Sequence, residues 1–148
     1  VESDLELLFP NEYIPSSSER MLLYRELDGL ELDKDLIDFK SRLEDRFGKI
    51  PPEGQELLRI VPLRRLAKRL GAEKIFLKAS RMTLFFVSNP DSPYYQSAAF
   101  GKVIGYMGRN PRFCNLREQN GKRSMVVKNV ENVETAVSIL QEIVSLEG

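Results

Sequence analysis

Histidine is absent from all 148 residues. That removes Ser-His-Asp and Cys-His nucleophilic arrangements and His-based metal sites from the chain. Cys114 is the sole cysteine, so neither an internal disulfide nor a Cys-rich zinc site can form. It sits among alternating residues and is expected to be a packing residue, and one free thiol suits a reducing compartment. No apolar run approaches the ~18 residues a membrane helix needs. No basic start and apolar leader opens the chain, so a cytoplasmic location and no membrane contact are expected. The phosphate-cradling pattern Gly-x4-Gly-Lys-Ser/Thr does not occur. The one glycine-rich stretch, Gly101 to Gly108, is spaced G-x3-G-x2-G with no strand leading into it, and close helix packing is its expected use. Glu44 and Asp45 are adjacent on a helix and diverge. Glu53 and Glu56 fall in a first helical turn, where the dipole explains them. No catalytic residue, cofactor or metal is expected.

What remains is a globular composition. At 42% apolar and 30% charged, the chain is long enough for one domain with a real core. The first residue is Val1, not Met, and a piece cut from a longer protein or a processed chain is expected. The zero formal net charge conceals an asymmetry. Residues 1 to 60 hold 15 acidic and 8 basic side chains, and residues 61 to 148 hold 7 acidic and 14 basic. An acidic face and a basic face, each able to steer a partner, follow from such a split.

The periodicity changes midway. Residues 2 to 9 alternate as in a half-buried strand. Ser16 and Glu19 have capping-box spacing ahead of a first helix with Leu23 and Leu27, flanked by Met21 and Tyr24, which Gly29 stops. A second helix starts near Asp33 as N-cap, with Leu36, Phe39, Leu43 and Phe47 on its apolar stripe, widened by Ile37, and Gly48 as its end. Asp38, Arg42 and Asp45 share its polar face. A third helix opens at Pro51-Pro52 and runs to Gly71, with Pro62 expected to kink or split it. The internal seam is expected at 71 to 73, too tight for a flexible linker.

The second half predicts strands over Lys74 to Ala79 and Met82 to Val87, the latter buried on both faces. A helix over Tyr94 to Met107 follows, then a hairpin turning at Gln119-Asn120-Gly121, and a last helix from Glu131 or Asn132. The order is a short strand, three helices, then ββαββα. The fold class is therefore α+β, a helical N-terminal part with a small, mostly antiparallel sheet and C-terminal helices. The basic cluster Arg64, Arg65, Lys68 and Arg69, with Lys74, Lys78, Arg81, Arg109, Arg112, Arg117, Lys122 and Arg123, keeps a phosphate-binding surface open, with Tyr94, Tyr95 and Tyr106 as stacking groups. Solvated helix ends and sheet-edge cations are the plainer reading.

Four segments in order carry a resemblance. They are Leu7 to Pro15, Ser18 to Leu27, Phe39 to Pro52 (with Asp45-Arg46-Phe47-Gly48) and Leu63 to Gly71. Together they resemble the C-terminal domain of the bacterial transcription-repair coupling factor. Pro62 departs from the expected pattern of that region. The resemblance implies that residues 1 to 148 form a single, non-catalytic regulatory domain of a longer, multidomain ATP-dependent DNA translocase. Such a domain docks on an N-terminal, repair-protein-like module of the same chain. It there masks the surface that recruits the damage-recognition ATPase of nucleotide excision repair, and release follows engagement of RNA polymerase and DNA. Asp45 belongs to the matched block; Asp38 and Arg42 join it by helical geometry, and Arg46 as a further contact, to make the expected partner-binding ridge. The alternative is a nucleic-acid-binding module using the basic second half. Direct DNA contact is left open and not favoured.

Overall fold

The computed structural model describes residues 1–147. Two compact units divide the chain: residues 6–62, and residues 1–5 together with 63 onward. The division falls at Pro62–Leu63, not at 71 to 73, because Leu63, Leu66 and Leu70 are buried with the second unit.

The first unit is helical. Its elements are α1 (Ser17–Asp28), α2 (Asp33–Phe47), α3 (Pro52–Leu58) and the start of α4 (Ile60–Arg69). Phe9, Leu27, Phe39, Leu43 and Leu58 are each almost wholly buried and form its core. The Phe9 ring stacks on Tyr24 at 5.5 Å, and the Tyr24 hydroxyl accepts from the Phe9 N–H at 3.0 Å. Tyr13 lies 5.7 Å from the Phe47 ring and donates its hydroxyl to the Gly48 carbonyl at 2.8 Å. The Phe-Pro and Phe-Gly segments are thus two ends of one packed corner. Gly48 ends α2 at φ 86°, a conformation that favours glycine. Ser16 accepts from the Glu19 N–H at 3.3 Å, as the capping box requires.

Several boundaries differ from the sequence expectation. Asp33 is the first residue of α2 and Leu32 occupies the cap position. Ile37 is 65% exposed and does not widen the buried stripe; it lies one residue, about 100° of helix, past Leu36. Met21 is exposed as well. The third helix is split at Arg59 rather than kinked at Pro62. Pro62 has no N–H to donate to the Leu58 carbonyl, and its ring crowds that oxygen, so the helix breaks upstream and Pro62 falls in the first turn of α4, where it is tolerated.

The second unit holds a five-stranded sheet in the order β1-β2-β3-β5-β4. The strands are β1 (Glu2–Ser3), β2 (Lys74–Lys78), β3 (Arg81–Phe85), β4 (Cys114–Gln119) and β5 (Lys122–Lys128). β1 pairs parallel to β2 and the other pairs are antiparallel. The helices are α5 (Ala98–Arg109) and α6 (Val133–Val144). This is the α+β class with the expected ββαββα order. The first strand spans two residues, not eight, because residues from Glu6 on belong to the helical unit.

Ile75, Leu77, Met82, Leu84, Met125 and Val127 fill one sheet face and are all buried. β3 stops at Phe85, so the apolar run is not a strand buried on both sides. Phe86 leaves the strand to pack 5.8 Å from both Tyr94 and Phe100. The expected helix from Tyr94 is a 3₁₀ turn over Pro93–Gln96 followed by α5, restarted by Ser97, whose hydroxyl accepts from Phe100. Asn132 caps α6 through the Thr135 N–H at 2.7 Å. Gly105 and Gly108 have open space where a Cβ would stand, so they serve no close packing. Cys114 is buried, and burial pushes its thiol pKa up, as suits a packing residue.

Candidate docking surface on the second helix

α2 buries Leu36, Phe39 and Leu43 and turns its other sides to solvent. Asp38, Arg42, Asp45 and Arg46 are all exposed. The structure divides these four by partner. Arg42 donates two hydrogen bonds to Glu26 of α1, at 3.1 Å and 2.6 Å. Arg46 pairs with Glu19, seven residues and so two helical turns nearer the start of α1. Each guanidinium also lies over a ring, Arg42 over Phe39 at 5.6 Å and Arg46 over Phe47 at 5.1 Å. The hydrogen bond that Arg42 donates to Glu26 leads the upward shift of its pKa, with the nearby Asp38 charge adding to it.

The two arginines therefore clamp α2 to α1. With Leu23, Phe39, Leu43 and Phe47 they line a 210 Å³ cleft between the helices. Asp38 and Asp45 lie seven residues apart, two helical turns, and so stand on one side of α2 about 10 Å apart. Ile37, exposed next to Asp38, is an apolar contact that reading it as core concealed. Glu19 and Glu26 are the other missed members. Their heptad spacing on α1 could have found them. The arrangement offers charge and shape for a partner; it does not position a nucleophile or an acid–base pair. Among the described residues no group of His, Cys, Asp or Glu is set to hold a metal ion, and no helix is long and apolar enough to cross a membrane.

An acidic helical unit joined to a ββαββα unit defines an α+β domain with an exposed, charged helix face. The chain belongs to the TRCF domain family, whose model matches residues 3–97. It is similar to the transcription-repair-coupling factor of Rickettsia prowazekii, 30% identical over 137 residues, which are 92% of this chain and 12% of that protein. The protein of the same name from Escherichia coli is 33% identical over 75 residues, 51% of this chain and 6% of the relative. That from Staphylococcus epidermidis is 37% identical over 75 residues, again 51% and 6%. The chain thus spans about an eighth or less of the curated relatives it matches. A crystal structure of a C-terminal domain of transcription-repair coupling factor shares the fold, with a TM-score of 0.70 and 17% identity over 96% of this chain and 92% of the other. The match covers nearly the whole chain and shows the C-terminal-domain fold.

Proposed function

We propose that this domain is a regulatory element of a transcription-coupled repair translocase. It docks through α2 on an N-terminal, repair-protein-like module of its own chain. There it masks the surface that recruits the damage-recognition ATPase of nucleotide excision repair, until the parent protein engages RNA polymerase and DNA. The reading calls for no cofactor in this domain.

One observation supports it above the others. Arg42 and Arg46 are neutralised by Glu26 and Glu19 of α1, while Asp38 and Asp45 stand exposed on the same helix. The clamp presents two carboxylates and Ile37 on a braced helix, which lowers the ordering penalty of docking. A site tethered in the same chain works at high effective concentration, so modest contacts suffice to keep it closed, and a few kcal/mol of differential binding is enough to open it.

The test is a calorimetric titration of this chain against the separately expressed N-terminal module, repeated with Asp38→Lys and Asp45→Lys. Charge reversal on the ridge is expected to weaken binding on the order of tenfold or more. Binding unchanged by both substitutions would remove α2 from the interface. Absence of binding by the isolated modules, together with unchanged recruitment of the ATPase when this domain is deleted from the parent, would end the masking reading.

A further inference from the structure

The sheet of the second unit has two faces, and the helix-side face is filled by buried aliphatic side chains. The strand register sorts the opposite face residue by residue. Lys78, Arg81 and Lys128 are direct neighbours across β2, β3 and β5 and form one row. Four residues along the strands, about 13 Å, Lys74 and Arg117 lie in the row that also holds Phe85 and Ser124. Lys122 of β5 sits one same-face position beyond, opposite Gln119. All six cations are exposed. Among the paired strand residues, Glu2 is the one acidic side chain on this face, and it pairs with Lys78 at 3.3 Å. Asp4, just past β1, is engaged in accepting from the Ala79 N–H at 2.9 Å.

An aromatic pair runs from the middle row into the second cationic row, Phe76 in the former and Phe85 in the latter. Phe76 and Phe85 are half-buried, with ring centroids 4.9 Å apart in an edge-to-face arrangement. The Lys78 ammonium reaches over Phe76 at 4.8 Å. Thr83, the buried Val126 and, at the β4 edge, the exposed Asn115 complete the middle row. Large half-exposed rings on a solvent-side sheet face, rimmed by lysine and arginine, match a single strand of nucleic acid. Its bases stack on the rings and its phosphates meet the cations. A protein partner would find few donors or acceptors at the centre of this face, where Ser124 is buried and Thr83 half-buried. The exposed amides of this face, Asn115 and Gln119, both lie on the edge strand β4, so the centre holds little to read a ribose 2′-hydroxyl.

We infer that this sheet face binds single-stranded DNA, without strong sequence preference, through Phe76, Phe85 and the two cationic rows. The inference uses the sheet unit alone and does not depend on docking through α2, so either can fail without the other. It also narrows the dispersed basic residues of the second half to one surface. Arg123 points to the other face, over the Tyr95 ring at 4.4 Å, and Lys68 and Arg69 belong to α4.

The experiment is fluorescence anisotropy of a labelled oligo-dT of about twelve nucleotides, titrated with the whole 148-residue chain from low to moderate salt. Binding in about the 1–100 µM range is expected, with log Kd rising by about 0.7 per decade of salt for each phosphate neutralised, or a slope near 3 to 4 for five contacts. Phe85→Ala and Phe76→Ala are each expected to weaken binding about tenfold. Arg81→Glu with Lys128→Glu should weaken it at least as much and flatten the salt slope. Lys68→Glu with Arg69→Glu on α4 makes the same charge change off the face and should leave Kd within about twofold. Circular dichroism and unfolding midpoints confirm that each variant folds; the paired charge variants on exposed positions keep the test open if a Phe variant does not. No binding at low salt would overturn the inference. So would equal losses from the α4 and sheet-face charge variants, or tighter binding of duplex than of single strand. A roughly tenfold preference for oligo-U would overturn the assignment to DNA.

Discussion

In the helical unit, residues 6–62, 13 acidic side chains face 8 basic ones. Its α2 arginines are engaged by α1 carboxylates, so the exposed remainder is negative. In the sheet unit, 9 acidic face 14 basic, and β-register gathers six cations on one face with a single paired carboxylate among them. The contrast is one of geometry. A helix of period 3.6 lets complementary charges on two adjacent helices meet in pairs, whereas alternation on a sheet collects every second residue of four strands on one surface. The same overall neutrality yields a braced acidic ridge in one unit and an open basic platform in the other.

The largest effect that separates the units concerns two glycines. Gly71 closes α4 with a Schellman arrangement: the Ala72 N–H donates to Ala67 at 2.9 Å and the Gly71 N–H to Lys68 at 3.0 Å. Its φ is +81°, and an added Cβ would collide with the Tyr94 ring. Gly71→Ala therefore meets both a left-handed penalty and overpacking, and is expected to lose about 2–5 kcal/mol in urea unfolding. Gly54 is buried within α3, and its Cβ would stand 2.9 Å from the Ile50 Cγ2 and 3.3 Å from Phe9. There the gain in helix propensity of about 1 kcal/mol opposes a contact with the buried, β-branched Ile50, which is stiff at χ1, so Gly54→Ala is expected to lose about 0–2 kcal/mol, less than Gly71→Ala. Equal losses at the two sites would mean that Tyr94 yields more readily than its packing indicates.

A smaller effect follows from the same corner and is read by pH. The Tyr94 hydroxyl donates to the Leu70 carbonyl at the end of α4. Burial is the first cause of its raised pKa, with the neighbouring Tyr95 second. Below about pH 10 both folded and unfolded chains hold the proton, and the contribution is level. As pH rises past 10 the unfolded chain releases its proton first, so stability falls toward the higher folded pKa. Tyr94→Phe should lose about 1 kcal/mol at neutral pH and show a shallower alkaline decline. Tyr13 of the helical unit is also raised, by burial and then by Glu44, but it is an exposed-edge donor, and Tyr13→Phe should leave more of that decline in place. Urea midpoints between pH 8 and about 11 decide; identical slopes for the two variants would remove Tyr94 as the main alkaline group.

The sequence carried the element order well because its signals were local. Ser16, Asn132 and the Asn120-Gly121 turn each act within a few residues, and all three perform as read. What failed depended on partners distant in sequence. Ile37 lies beside a stripe of leucines and phenylalanines, and only the position of α1 decides that it faces solvent. Phe86 belongs by composition to β3, and its departure is set by Tyr94 and Phe100. The β2–β3 turn is Ala79-Ser80, two non-glycine residues with φ of 54° and 58°, held by Asp4 and by the Val130 N–H on the Ser80 carbonyl; no turn chemistry announces it. The candidate ridge was legible as a helix face, but its division into clamped arginines and exposed carboxylates required Glu19 and Glu26. The aromatic strip was missed because Phe76 and Phe85 looked like core, and because tyrosines drew the search for stacking groups.

The smallest predicted effect tests whether the helical unit's clamp is a stabiliser or only a positioning device. The Arg42–Glu26 pair is bidentate, yet the Arg42 side chain is 61% exposed and Glu26 38%. Solvent screening at such exposure leaves a coupling of about 0.5 kcal/mol. A double-mutant cycle with Glu26→Ala and Arg42→Ala, followed by urea unfolding, should return that value and lose most of it at about 1 M salt. Docking should respond differently, because removing Glu26 frees Arg42 beside Asp38 and lowers the net negative charge of the ridge, whereas removing Arg42 raises it. Glu26→Ala is therefore expected to weaken association with a basic partner surface and Arg42→Ala to leave it equal or stronger, although both break the same pair. Parallel weakening by the two would mean that the clamp acts through the shape of the helix pair, not through the charge it leaves exposed.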